Sequence, residues 1–85
     1  MEFMSLNKKV CIIEQIEKIR EEDEEFIRAV ENLDKRNMIE EFYDSIQAKL
    51  TLMEQFGITF EELEFGEIEH LVKLKGRGHI ITKYY

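Results

Sequence analysis

Through the first third of the chain, apolar residues recur at alternating spacings of four and three: Ile12, Ile16, Ile19, Phe26, Val30 and Leu33. That period matches one face of an α-helix and excludes a strand, whose faces alternate every second residue. It predicts one long amphipathic helix from about Asn7 to Leu33, with Asn7 as the cap at its start. Asp23 occupies the slot missing from the series. An acid in an apolar seam is costly unless it is paired or bound to a cation, so the seam should open there onto something polar.

The same period returns twice. Ile39, Phe42, Ile46, Leu50, Met53 and Phe56 predict a second helix from Arg36 or Asn37 to Phe56, closed by Gly57. The cluster Asn32, Asp34, Lys35, Arg36 and Asn37 marks the connection, short enough to make the pair an antiparallel hairpin. Thr59 with Glu62 three residues on reads as a capping box. A third helix follows through Leu63, Ile68, Leu71, Val72 and Leu74 to Gly76, with Gly66 inside it. There is no proline to interrupt any of these segments. The tail from Arg77 to Tyr85, with Ile80, Ile81 and Thr82, reads as a short strand, a partner-binding arm or disordered chain. The expected fold is therefore all-α, a helical hairpin plus a third helix. It occupies residues 7–76 and is followed by a tail at 77–85. Residues 1–6 are set aside, because Met1-Glu2-Phe3 before Met4-Ser5-Leu6 resembles an expression scar or an alternative start.

An 85-residue chain buries only a limited core, and this one has neither paired cysteines nor a Cys/His cluster to staple it. Association into a homodimer or homotetramer is the expected remedy, giving an oligomeric helix bundle. Cys11, between Val10 and Ile12, is expected as a reduced, packed thiol in a reducing compartment. A net charge of −7 argues against a nucleic-acid polymer as partner. No apolar run approaches a membrane span and no signal-peptide core is present, so no membrane association and a cytoplasmic location are expected.

Glu22 with Glu25, and Glu41 with Asp44, are each three residues apart in chain expected to be helical, so each pair projects its carboxylates from one face. With 19 acidic residues in the chain, such pairs also arise by chance on solvated surfaces. Two features favour a site. The run Glu21 to Glu25 repels itself unless a cation neutralises it. Both pairs also flank the apolar seams (Ile19 and Phe26; Ile39, Phe42 and Ile46), and in an antiparallel hairpin they would face one another at similar height. Four or five converging carboxylates suit a hard divalent cation such as Mg²⁺.

At these residues, Glu21-Glu22-x-x-Glu25 followed by Glu41-x-x-Asp44, the chain resembles the MazG-like all-α nucleoside triphosphate pyrophosphohydrolases. The likeness extends through Ile19 to Ala29, Met38 to Gln47, Phe56-Gly57-Ile58 and His70 to Arg77, covering roughly residues 12 to 78. The resemblance implies Mg²⁺-dependent hydrolysis, with Mn²⁺ as a substitute, of a ribo- or deoxyribonucleoside triphosphate to its monophosphate and pyrophosphate. By motif position Glu22, Glu25, Glu41 and Asp44 would be metal ligands, with Glu21 an auxiliary acid near the metal or its water. Lys73 and Arg77, four apart at the end of the third helix, are candidates to grip phosphate, and Lys49 is a weaker one. Asp23, at a position often apolar in such sequences, either adds an acid to the site or marks a departure from it.

Other readings are weaker. His70 and His79 are too far apart for a helical ligand pair. Tyr43 is expected to pack at a helix interface, and Tyr84 and Tyr85 to be mobile or subunit-contacting. Asp44-Ser45-Ile46 is similar to the phosphopantetheine site of acyl carrier proteins, but that serine starts a helix and Ser45 should lie inside one. A non-catalytic helical interaction module, its acid faces meeting a basic partner, is the remaining alternative.

Overall fold

The computed structural model describes residues 4–6, 9 and 11–85. Three helices follow in order, α1 (Ile12–Glu31), α2 (Lys35–Gln55) and α3 (Phe60–Gly76), with no strand among the described residues. The expected cap Asn7 lies outside the described residues. α1 instead starts at Cys11, whose Sγ accepts from the Glu14 N–H at 3.4 Å. This corrects the expectation of a packed thiol: standing just outside the helix, Cys11 is exposed and turned back on the first turn. Asp34 and Thr59 cap the other two helices, accepting from the Asn37 and Glu62 N–H groups at 3.1 and 3.2 Å.

All three helices end in the same way. The residue after the C-cap adopts positive φ, and two N–H groups return to the last turn in a Schellman motif. Gly57 (φ 73°) and Gly78 (φ 84°) close α2 and α3. In α3, Gly78 N–H bonds to Lys75 O and His79 N–H to Leu74 O, so the left-handed position is Gly78 and Gly76 stays helical. At the end of α1 that position is held by Leu33 (φ 54°), with Leu33 N–H on Val30 O and Asp34 N–H on Ala29 O.

α1 and α2 pack on each other as the expected antiparallel hairpin, while α3 packs on neither. The Cα radius of gyration is accordingly 15.0 Å, where a compact chain of this length would have about 12 Å. The face that α1 turns to α2 is not the expected seam. Gln15, Glu22 and Ala29 are its buried residues, while Ile12, Ile16, Val30 and Leu33 are exposed. At 100° per residue the buried line lies roughly 70° round the helix from the apolar stripe. α2 buries Ser45, Ala48, Leu50 and Thr51, leaving Ile39, Phe42 and Phe56 exposed. The hairpin contact is thus built largely from small and polar side chains, and much of the apolar surface remains uncovered in the single chain.

Residues 77–85 form no strand; Ile81, Thr82, Lys83 and Tyr84 fold back along α3, bounding an apolar groove of about 410 Å³ with Leu71 and Leu74. No described helix is long and apolar enough to cross a membrane.

Candidate metal centre

α1 contributes Glu22 to the hairpin interface and α2 contributes Glu41 and Asp44, one turn apart. One carboxylate oxygen from each of these three residues lies within 4.8 Å of the others. Glu22 is buried, Glu41 half-buried and Asp44 exposed, so the cluster runs from the interface out to solvent. Glu25, half-buried one turn along α1, lies against Glu22 and Glu41 at the edge of this group. Glu21 is exposed and approaches Lys18, at 3.8 Å.

The electrostatics are those of a site short of positive charge. Glu22 Oε1 accepts from Lys18 Nζ at 2.7 Å, and this bond holds the Glu22 carboxyl below its ordinary range. Burial first, and then the carboxyls of Glu25 and Glu22, push Glu41 up to about 7. Glu22 Oε2 and Glu41 Oε2 are both buried without a hydrogen-bond partner. Buried carboxylate oxygens are normally satisfied. Two orphaned ones within a cluster of three acids, with an all-oxygen donor set, fit a hard divalent cation.

Asp23 points elsewhere. It accepts from Ser45 Oγ at 2.6 Å and from Lys49 Nζ at 3.1 Å, so this acid ties α1 to α2 beside the cluster and does not enter it. The same contacts occupy Lys49, which also meets Ser45 Oγ at 3.1 Å. Ser45, buried inside α2 and engaged with Asp23, is unsuited to carry a prosthetic arm. In the single chain Lys73 and Arg77 are not brought to the acids, because α3 stands apart from the hairpin. His70 and His79 are exposed and outside the cluster. Tyr43 is exposed, its ring edge-on to Phe42 with centroids 5.4 Å apart, and not packed between helices as expected.

Two residues that carry no motif also belong here. Lys18 is one turn before Glu22, a spacing that signals an ion pair. Gln15, seven residues before Glu22, shares its buried line and donates Nε2 to Ala48 O at 2.9 Å. Both border a cavity of about 250 Å³ that opens beside Glu22 and Asp44.

A family model described as phosphoribosyl-ATP pyrophosphohydrolase matches residues 7–68. The chain belongs to the phosphoribosyl-ATP pyrophosphohydrolase family. The match spans the whole hairpin, including all five acids of the motif, and ends within α3, before Lys73 and Arg77. Comparison with curated proteins and with solved structures gave no match. As a phosphoribosyl-ATP pyrophosphohydrolase family member the chain has the all-α architecture of the MazG-like enzymes that it resembles, and an activity of pyrophosphohydrolase type.

Proposed function

We propose that the chain is a Mg²⁺-dependent nucleotide pyrophosphohydrolase that cleaves a ribo- or deoxyribonucleoside triphosphate to the monophosphate and pyrophosphate. The observation that carries this reading is the convergence of Glu22, Glu41 and Asp44 with two buried, unpartnered carboxylate oxygens. A polyphosphate is itself an anion, so an acidic cluster accepts it only through a cation. Glu22, Glu25, Glu41 and Asp44 would hold that cation, with Mn²⁺ able to replace Mg²⁺. When bound it supplies charge neutralisation on the phosphates and lowers the pKa of water.

The side chains have separate tasks. Glu22 is fixed by Lys18 and by burial, which sets the depth of the site. Glu41 and Asp44, one turn apart on α2, face it across the hairpin. Glu21, the auxiliary acid by motif position, would accept the proton released when water adds to phosphorus and the bond to the bridging oxygen breaks. Exposed Ile12, Ile16, Val30 and Ile39 favour a homodimer or homotetramer as the working unit.

The test is release of monophosphate and pyrophosphate from a panel of ribo- and deoxyribonucleoside triphosphates and phosphoribosyl-ATP, with and without Mg²⁺. Glu41→Gln should abolish it. No hydrolysis of any member, together with no Mg²⁺-induced rise in melting temperature, would overturn the reading and favour a helical interaction module.

A further inference from the structure

We propose that Gln15 recognises a hydrogen-bond donor on the nucleobase, and that the cavity beside the acids is the base pocket; this rests on the nucleotide reading above. Gln15 is 2% exposed and lines the cavity together with Leu6, Lys18, Gln47, Ala48 and Thr51. Its Nε2 donates to Ala48 O at 2.9 Å. A backbone carbonyl only accepts, so the amide has one orientation and Oε1 is committed to the opposite side as an acceptor. That oxygen is buried and has no partner. The neighbouring donors are turned to other partners: Lys18 Nζ holds Glu22, Thr51 Oγ1 donates to Gln47 O at 2.9 Å, and Gln47 Nε2 donates to Met4 O at 2.9 Å. No donor of this wall reaches Gln15 Oε1, so a base N–H entering the cavity would supply its partner.

The position suits a base. Glu22 and Asp44 belong both to the acid cluster and to the cavity lining, so a ligand with its phosphates at the acids extends directly into the cavity. Gln15 is two turns from Glu22, about 10 Å along α1. A volume of about 250 Å³ falls below the roughly 300–1,000 Å³ of pockets that enclose whole drug-sized ligands. It has room for one ring system, with the remainder of the nucleotide outside. A pocket built to pair with a substrate N–H rejects analogues that lack it, because its own polar atom is then left unpaired.

The experiment measures dissociation constants for α,β-methylene triphosphate analogues of the four common nucleosides in the presence of Mg²⁺. Each is compared with its counterpart methylated at the base N–H positions, and inorganic tripolyphosphate serves as the base-free control. For the tightest-binding base, methylation should weaken binding to the wild-type chain by about 10- to 100-fold. Gln15→Leu should weaken the unmethylated analogue by a similar factor and leave tripolyphosphate within about twofold. Equal affinity for methylated and unmethylated forms of every base in the wild type overturns the proposal, as does absence of binding. The methylation arm needs no variant, so misfolding of Gln15→Leu does not decide the result. Pyrophosphate release is read separately. Base-selective binding without hydrolysis upholds the pocket and overturns the activity, whereas hydrolysis without base selectivity does the reverse.

Discussion

Ser45 donates its hydroxyl hydrogen to Asp23 across the hairpin, at 2.6 Å. The acid that interrupts the apolar period of α1 is therefore a fastening between helices, with Lys49 completing it from one turn further along α2. Removing the hydroxyl in Ser45→Ala should cost about 1 kcal/mol, read as a lower midpoint in urea unfolding. Mg²⁺ affinity should be nearly unchanged, because neither residue contributes to the acid cluster.

Asp23 also gives the fastening a pH dependence. The Ser45 hydroxyl first, and then Lys49, hold its carboxyl below the ordinary value of 3.8. A depressed carboxylate contributes stability that is full above its unfolded pKa and is lost as pH falls through the folded one. The stability difference between wild type and Asp23→Asn should thus be constant near neutrality and shrink below about pH 4. A difference that persists unchanged to pH 2 would contradict the assignment.

Glu41 has the opposite sign. With its carboxyl raised from 4.5 to about 7, the metal-free folded chain binds a proton that the unfolded chain has released. Stability from this group is full below pH 4.5 and lost as pH rises through 7. A cation must displace that proton, so Mg²⁺ affinity should climb between about pH 6 and 8 with proton release. Calorimetry in buffers of different ionisation enthalpy measures the release directly. Glu41→Gln should remove both the pH trend and the released proton.

Lys18 neutralises Glu22 where no cation does. In Lys18→Met the Glu22 carboxyl should titrate higher and the metal-free chain should melt lower at pH 8. The melting-temperature gain on adding Mg²⁺ should grow, because the cation then meets one more uncompensated negative charge. Scanning fluorimetry with and without Mg²⁺ separates the two effects.

Leu33 holds a left-handed conformation that L side chains avoid, and its side chain is 83% exposed. Leu33→Gly should therefore stabilise the hairpin by about 1 kcal/mol. The gain would be read as a higher melting temperature with unchanged helix content.

What the sequence disclosed follows the range of the forces involved. Helix ends were readable at Thr59 and Gly57 because caps and left-handed turns are set by neighbouring residues, whereas Asp34 was legible only as part of a turn and its capping role was not. The meeting of Glu22 with Glu41 and Asp44 was readable because helical spacing puts Glu41 and Asp44 on one face and an antiparallel hairpin lays the later part of α1 against the start of α2. The rotation of α1 was hidden, since an apolar period reports that a stripe will be covered and not which surface covers it. Cys11 is exposed for the same reason: apolar neighbours imply burial only if the residue lies within the helix they form. Gln15 carries no signal in the sequence, because an uncharged amide matters only through its partner and its missing partner in the fold.

A helix of 17 residues that packs on neither α1 nor α2 is near the limit of what can persist in water on its own hydrogen bonds. The amide protons of α3 should exchange with deuterium orders of magnitude faster than those facing inward at the α1–α2 contact. That contrast makes α3 a clock. Any event that lays another surface against it should slow its exchange while leaving the hairpin's rate almost untouched, so a single labelling experiment reads the fastened and the free parts of the same chain at once.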